Sequence, residues 1–258
     1  MPDTSAPPCE TALLERALAL TGEVAELAMS GFRSLGLAVE RKADGTAVTS
    51  FDREVERSLR TAIAASYPDD GVLGEEEDEL VGTSGRRWIL DPIDGTDPFS
   101  RGVVTWGTLV ACEDERGPLL GIAACPWAGE VVSGGRGVGC RWGDQVAAAS
   151  DRRDLLGAVL ATSGIEHWAA GTFERVTAAG VKVRTWGNAY GLALAATGRV
   201  DAFFDARVHP WDVAPAPVLM EEAGGCFTTL DGSGSLEAGD ALLCGPALLD
   251  PLLTLLRG

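Results

Sequence analysis

Apolar residues in the first part of the chain recur at a helical spacing in two places. Residues 11–35 carry one apolar stripe, and a second stripe runs from residue 50 or 51 and stops before Pro68. The segment between them, RKADGTAVTS at residues 41–50, is rich in turn-forming residues. The pattern predicts two amphipathic helices that are joined by a turn-rich connection.

Short apolar runs and alternating segments then predict strands. Residues 72–74 (VLG) and 88–90 (WIL) are apolar runs, and the acidic segment EEEDE follows the first of them as a predicted loop. From residue 105 to about residue 136, alternating segments are separated by Gly117 and Gly129. This spacing is typical of an antiparallel meander.

After about residue 145, helical and strand patterns alternate along the chain. Strands are predicted at residues 158–163, 181–186, 200–205, 226–230 and 241–245, and helices at residues 173–180, 190–198, 213–223 and from residue 247. Such alternation predicts an α/β layer with some parallel pairing. We therefore expect an N-terminal α+β domain over residues 1–145 and a C-terminal α/β domain over residues 146–258.

Composition narrows the classes of partner. The 258 residues include 21 lysine and arginine residues against 38 aspartate and glutamate residues, for a net charge of −17, so neither nucleic acid nor an anionic membrane is expected as a partner. The chain has neither a long apolar run nor a secretory signal, which predicts a cytoplasmic location. Its six cysteines are scattered and are expected to be reduced core thiols. Metal ions would have to mediate any binding of phosphate to so acidic a protein.

The stretch WILDPIDGTDPF at residues 88–99 places two aspartates directly after an apolar run. Asp, Pro and Gly all favour β-turns, so the stretch has a purely structural interpretation. The first and fourth residues of a turn have α-carbons less than about 7 Å apart, so the carboxylates of Asp91 and Asp94 can converge. Converging carboxylates need a cation, and oxygen ligands select hard ions such as Mg²⁺. Both interpretations stay open on this stretch alone.

The residues after the two aspartates predict a helix start. Thr96 or Asp97 is a plausible N-cap, and Pro98 suits the first helical position. A helix N-terminus presents free N–H groups to solvent or ligand. It would therefore provide an anion site beside the metal site.

Three further acidic residues stand at the ends of predicted elements. Glu75 follows a short strand, and its alternative interpretation is a solvated acidic loop. Asp52 begins one helix, where it would complement the helix dipole, and Asp212 in HPWDVAP begins another, where it would be an N-cap. Each structural alternative explains its residue when that residue is considered alone. The prediction of a metal site therefore depends on all of these acidic residues together.

Four ordered motifs together resemble the inositol monophosphatase family, the Mg²⁺-dependent, lithium-sensitive phosphatases of sugars and small molecules. The motifs are K-x-D-G-T-x-V-T-x-x-D at residues 42–52, G-E-E at 74–76, W-x-x-D-P-I-D-G-T at 88–96 and W-D-V-A at 211–214. They span nearly the whole chain. The resemblance implies a layered αβαβα sandwich, a homodimer, and hydrolysis of a small phosphorylated metabolite by a metal-activated water.

The resemblance also implies which residues bind metal. Glu75, Asp91 and the backbone carbonyl of Ile93 are similar to the ligands of one Mg²⁺ ion. Asp91, Asp94 and Asp212 are similar to the ligands of a second ion, and Glu75 would help to hold a weaker third. Two or three ions in each active site are expected. A pair of divalent ions about 3.5–4 Å apart suits the hydrolysis of phosphate esters.

The catalytic and phosphate-binding residues are implied in the same way. Asp52 and Thr96 resemble the pair that orients and deprotonates the attacking water, and Glu75 joins this catalytic set through the ion that it helps to hold. The backbone N–H groups of Gly95 and Thr96 resemble those that hold the phosphate. Pro98 departs from the family pattern because it removes one N–H group from the phosphate-binding turn, and Asp97 adds charge near it.

Substrate recognition is expected in the second domain. Asp205 resembles an acidic residue that often contacts a hydroxyl or amino group of the substrate, although it is alternatively an ordinary strand-end carboxylate. Gly187 and Asn188 lie where the histidinol-phosphate phosphatase branch, which the chain resembles in several stretches, usually has Gly-Asp-Cys-Tyr. The missing carboxylate would weaken the recognition of a cationic amino alcohol. The segment VHPWDVA is closer to the inositol monophosphatases proper, so the subfamily stays open.

Three functions are compatible with these observations. The first is Mg²⁺-dependent hydrolysis of a histidinol-phosphate-like or inositol-phosphate-like monoester. The second is hydrolysis of a nucleotide or nucleoside phosphate, and the third is a catalytically idle member that binds a regulatory partner. The complete set of Glu75, Asp91, Asp94, Thr96 and Asp212 argues against the third, since an idle site would be free to lose its metal ligands.

Overall fold

A computed structural model describes residues 6–34, 37–42 and 45–258 of the chain. Asp44 of the K-x-D-G-T motif and the end of the first predicted helix at residue 35 lie outside these ranges. Helices α1 (Thr11–Gly31) and α2 (Ser50–Ser66) confirm the two predicted apolar stripes. Between them, β1 (Val39–Arg41) and β2 (Ala47–Thr49) form an antiparallel pair in a segment predicted only as turn-rich.

A seven-stranded sheet follows, counted over the described residues. Its strands in spatial order are β3 (Gly71–Gly74), β4 (Arg87–Asp94), β5 (Gly107–Asp114), β6 (Gly117–Cys125), β7 (Glu130–Gly135), β8 (Gly139–Trp142) and β9 (Gln145–Val146). Only the β3–β4 pair is parallel, and β5 to β7 confirm the predicted meander. A short helix, α3 (Thr96–Ser100), connects β4 to β5.

A five-stranded mixed sheet, again counted over the described ranges, contains the later strands. They are β10 (Val159–Ala161), β11 (Lys182–Arg184), β12 (Ala202–Asp205), β13 (Cys226–Thr228) and β14 (Ala241–Cys244), in the spatial order β11-β10-β12-β14-β13. Strand β10 is parallel to both of its neighbours, as the alternating pattern predicted, and the other pairs are antiparallel.

Helices accompany the second sheet at the predicted places. They are α4 (Thr172–Ala178), α5 (Asn188–Ala196), α6 (Pro210–Val213), α7 (Ala216–Glu222) and α8 (Leu249–Arg257). The helix predicted around residues 213–223 is α7, which begins at Ala216, because Pro215 separates it from the short helix α6, which ends at Val213. Proline lacks the N–H group that would continue the hydrogen-bond ladder.

Three apolar clusters lie between helices and sheets that are stacked in five layers. One cluster packs α1 and α2 on the outer face of the first sheet, and another packs α4 and α8 on the outer face of the second. The third cluster lies between the sheets, where α5 and α7 contact Leu109 and Val132 of one sheet and Phe203 and Leu243 of the other. Both faces of each sheet are covered, which explains strands that are apolar throughout. The predicted αβαβα sandwich is confirmed.

The remaining predictions concern boundaries, thiols and membranes. The first sheet ends at Val146 and the second begins at Val159, but the cluster between them contains residues of both, so the two-domain division stays a prediction. All six cysteines, which lie within the described ranges, are free thiols, and only Cys226 is not buried. No helix among the described residues is long and apolar enough to cross a membrane.

Candidate active site

The carboxylates gather where the parallel pairing of β3 with β4 ends. Gly74, the last residue of β3, is paired with Leu90 of β4, so Glu75 and Asp91 directly follow this last pair on neighbouring strands. Strand β4 continues beyond the predicted WIL run to Asp94, where the register with β5 shifts between Asp91 and Asp94. This bulge, rather than the predicted β-turn, brings the two aspartates to one edge, since a bulge bends its strand and redirects a side chain.

Three carboxylates form a cluster that suits a divalent cation. Oxygen atoms of Asp91, Asp94 and Asp212 lie within 4.8 Å of one another, and Asp91 and Asp94 are buried. Burial raises the pKa of Asp91 and of Asp94 well above the usual value, and the neighbouring carboxylates raise both further. Oδ1 of Asp91 is buried without a hydrogen-bond partner in the described residues. Converging carboxylates with an unused oxygen are the donor set that a hard cation binds.

Backbone N–H groups hold two of these aspartates. The N–H group of His209 donates to Oδ2 of Asp212 at 2.8 Å across the first turn of α6, so the N-cap predicted at Asp212 is wrong by three positions. The N–H group of Ala189, in the first turn of α5, donates to Asp94 and opposes the rise of its pKa. Both carboxylates are therefore oriented by the start of a helix.

Glu75 lies at the side of the cluster and is paired with a lysine. Nζ of Lys42 contacts Oε1 of Glu75 at 2.8 Å and Oε1 of Glu76 at 2.6 Å. Burial raises the pKa of Glu75 to about 7, although Lys42 opposes the rise. The interpretation of Glu75 as part of a solvated loop is wrong for this residue, because its carboxylate is mostly buried and faces the cavity of the cluster.

Asp52 and Thr96 contact each other beside the cluster. The hydroxyl group of Thr96 donates to Oδ1 of Asp52 at 2.8 Å and lies 3.1 Å from the carbonyl oxygen of Ile93. The other oxygen of Asp52 accepts from the hydroxyl and N–H groups of Thr49 at 2.6 and 2.8 Å in a capping box at the start of α2. Asp52 is thus both a helix cap and the partner of Thr96.

The turn at Gly95 differs from its prediction in two details. The N-cap of α3 is Gly95 rather than Thr96 or Asp97, and Pro98 is the third helical residue rather than the first. Gly95 has a φ of 90°, which favours glycine, and a side chain here would place its Cβ 2.8 Å from Nδ2 of Asn188. The helix can start this way because the N–H group that Pro98 lacks belongs to the first turn, where no intrahelical partner exists.

The carboxylates open into a cavity of about 360 Å³. Ile93, Gly95, Thr96 and Asn188 line it together with Glu75, Asp91, Asp94 and Asp212. A smaller cavity of about 90 Å³ adjoins Asp94 and Asp212 and is lined by Asn188 and Asp205. The structure thus brings the predicted metal, phosphate and most substrate residues to one place.

The predicted substrate residues have different surroundings. Oδ1 of Asp205 accepts from the N–H group of Ser163 and the hydroxyl group of Thr162, and Oδ2 accepts from the hydroxyl group of Ser163. Burial raises the pKa of Asp205 to about 6. Gly187 lies against the backbone of Ser163, where a Cβ would be 2.1 Å from the serine Cα, and it is not among the residues that line either cavity.

Several residues of the site were not predicted. Lys42 is the lysine of the K-x-D-G-T motif, and no role was predicted for it. His167 and His209, the only two histidines of the sequence, both line the larger cavity, and Arg207 lines the smaller one. His209 lies three positions before Asp212, and Arg207 lies two positions after Asp205, so sequence proximity could have indicated these two residues, whereas a separate loop brings His167 to the cavity.

The fold and the site define a class of protein, a phosphatase that acts on phosphate monoesters. The chain belongs to the inositol monophosphatase family, whose profile matches residues 10–256. It is 35% identical over 240 residues to a histidinol-phosphatase of Chlorobaculum parvum, covering 89% of this chain and 93% of that one. It is 34% identical over 220 residues to an inositol-1-monophosphatase of Rhizobium meliloti, covering 81% and 82%.

A solved structure has the same architecture. The extragenic suppressor protein SuhB of Bartonella henselae superimposes with a TM-score of 0.89 at 26% identity, covering 96% of this chain and 99% of that one. The predicted family and fold are confirmed. Of the three functions considered, hydrolysis of a phosphate monoester is the one that these findings support.

Proposed function

We propose that this phosphatase uses Mg²⁺ held by Glu75, Asp91, Asp94, Asp212 and the carbonyl oxygen of Ile93. The observation that carries the proposal is the cluster of three carboxylates within 4.8 Å, with one buried oxygen of Asp91 left without a partner in the described residues. When bound, divalent ions supply an activated water and stabilise the negative charge that develops on the phosphate. The cavity beside the cluster has room for a small phosphorylated metabolite.

Asp52 and Thr96 provide the proton path in this proposal. The hydroxyl group of Thr96 already donates to Oδ1 of Asp52, so its oxygen atom is left to accept a hydrogen bond from the attacking water. A proton can then pass from the water to Oγ1 of Thr96 as the hydroxyl proton passes to Asp52. The N–H groups at Gly95 and Thr96 orient the phosphate at the start of α3.

Histidinol phosphate and an inositol monophosphate are the first substrates that we propose. Relatives with those activities in their names match most of the chain at similar identity, 35% and 34%. The test is phosphate release with Mg²⁺ from inositol, histidinol, sugar and nucleoside phosphates. We expect turnover of one of the first two. Preferred turnover of a nucleoside phosphate would shift the substrate class, and no turnover of any compound would contradict the proposal.

We expect Asp205→Asn to change the choice between substrates more than the chemistry. Asparagine keeps the shape that Thr162 and Ser163 contact but removes the charge that a hydroxyl or amino group of the leaving group would meet. The KM for the preferred metabolite should rise about 10-fold, the equivalent of about 1.4 kcal/mol of lost binding. The kcat/KM for a generic aryl phosphate should stay within about 2-fold. Equal losses on both substrates would contradict a role of Asp205 in substrate recognition.

We also infer a homodimer in the cytoplasm, as the family resemblance implies. Six free thiols are in keeping with a reducing compartment. Light scattering on the eluted protein should give twice the chain mass of 26.8 kDa. A single chain mass at micromolar concentration would contradict the dimer.

A further inference from the structure

A buried carboxylate on α2 holds the loop that contains Glu75. Glu56 is completely buried, and its Oε2 accepts from the N–H group of Glu76 at 2.7 Å. Its Oε1 accepts from the N–H group of Glu77 at 3.1 Å and from Nε of Arg60 at 2.8 Å. The two N–H groups that follow Glu75 are therefore attached to the helix by one side chain.

Arg60 and Gly74 complete this attachment. Nη2 of Arg60 donates to the carbonyl oxygen of Glu77 at 2.9 Å, so the arginine contacts both the loop and the carboxylate that holds it. On the other side of Glu75, a Cβ at Gly74 would lie 2.3 Å from Oε1 of Glu56. The carboxylate therefore occupies space that only a glycine leaves open. The same carboxylate therefore packs against Gly74 before Glu75 and accepts from the N–H groups of the two residues after it.

The attachment places a completely buried carboxylate beneath a loop whose residues 75–77 are only partly buried. Burying a carboxylate costs free energy unless it is fully hydrogen-bonded, and the loop N–H groups and Arg60 provide these hydrogen bonds. The attachment orients the backbone from which Glu75 extends toward the cluster. Glu75 faces the cavity shared with Asp91 and Asp212.

We propose that Glu56 is a positioning residue that fixes Glu75 for binding divalent ions. This inference rests on the proposed role of Glu75 as a metal ligand. Glu56 touches neither substrate nor ion in this proposal, and it acts through the backbone N–H groups of Glu76 and Glu77. Arg60 and Gly74 hold and make room for its carboxylate.

The test measures Mn²⁺ binding to the purified full chain by electron paramagnetic resonance, without substrate. Glu56→Gln replaces one acceptor oxygen by an NH₂ group, which cannot accept from a backbone N–H group. The dissociation constant of the Mn²⁺ that Glu75 helps to hold should rise about 10- to 100-fold, as it does when partners of metal ligands are lost. Glu54→Gln, an exposed residue on the same helix, is the matched control and should bind Mn²⁺ as the wild type does.

Two variants that leave Glu56 in place keep the test decisive if Glu56→Gln does not fold. Gly74→Ala places a methyl group against the carboxylate, and Arg60→Lys keeps the charge but loses the fork that reaches Glu77. Each should raise the KM for Mg²⁺ but should reach the wild-type kcat at saturating Mg²⁺. A general loss of folded protein would instead lower kcat at every Mg²⁺ concentration.

Unchanged Mn²⁺ affinity in folded variants would overturn the inference. That result, with a wild type that binds Mn²⁺ tightly, would leave the proposed function intact. A wild type that binds no Mn²⁺ would instead contradict the proposed function itself.

Discussion

Replacing Asp94 by asparagine is expected to lower kcat at least ~1000-fold while the protein stays folded. Asparagine can still accept from the N–H group of Ala189 through its carbonyl oxygen, so the local structure is kept. It loses the negative charge that holds a cation at the cluster. Metal ions contribute several kcal/mol of transition-state stabilisation, and each ~1.4 kcal/mol changes the rate by a factor of ten. Phosphate release under saturating Mg²⁺ measures the loss.

Thermal unfolding separates the loss of metal from a loss of fold. The folded-state pKa values of Asp91 and Asp94 are raised, so the metal-free protein is most stable when these groups are protonated and loses stability as pH rises through those values. Asp94→Asn removes one of the crowded charges. Its metal-free melting temperature at neutral pH should therefore equal or exceed that of the wild type.

Adding Mg²⁺ should reverse this order of stability. Mg²⁺ should raise the melting temperature of the wild type far more than that of Asp94→Asn, because only the wild type has the full set of carboxylates that binds the ion. Asp78→Asn, a change to an exposed acidic residue of the adjacent loop, is the control and should respond to Mg²⁺ as the wild type does. A near-normal kcat in Asp94→Asn would refute the metal assignment of this residue.

Replacing Thr96 by valine is expected to lower kcat about 10²- to 10⁴-fold, the range for a lost general acid–base group. Valine has nearly the same shape as threonine but cannot donate to Asp52, so the pair that orients the water is broken. The hydroxyl group is not among the proposed metal ligands, so Mn²⁺ affinity should change little. Steady-state kinetics and Mn²⁺ titration together measure the separation.

Thr96→Ser is the control for this prediction. Serine keeps the hydroxyl group that donates to Asp52 and should keep kcat within about 10-fold, a smaller loss than that expected for a missing general acid–base group. If valine and serine lowered kcat equally, packing of the side chain at α3 would explain the loss, and the proton path through Asp52 would be wrong.

The sequence predicted most elements of the fold because their patterns are local. The stripes of α1 and α2 and the meander of β5 to β7 follow from periodicity alone, and both are confirmed. The β1–β2 pair escaped prediction because each strand has only three residues and Val39–Arg41 lacks a buried face. The bulge between Asp91 and Asp94 escaped because the register of β4 is set by its pairing with β5, a separate strand, and not by a pattern within β4 itself.

The residues of the candidate site were also predicted only in part. The carboxylates stand in compact motifs, so Asp91, Asp94 and Asp212 could be proposed from the combination of these motifs, and the structure brings the three residues together. Lys42 is 33 positions from Glu75, and Glu56 is 20 positions from Glu76. No pattern within one segment contains such a pair, since the contact depends on how α2 packs beside the end of β3. Residues that hold the ligands were therefore missed, whereas the proposed ligands were found.

Crystals soaked in Mn²⁺ and measured at the manganese absorption edge give the most direct test. We predict anomalous density among Asp91, Asp94 and Asp212, with Oδ1 of Asp91, which has no hydrogen-bond partner among the described residues, within coordination distance of an ion. A pocket without anomalous density at saturating Mn²⁺, or density held only by surface carboxylates elsewhere, would contradict this prediction.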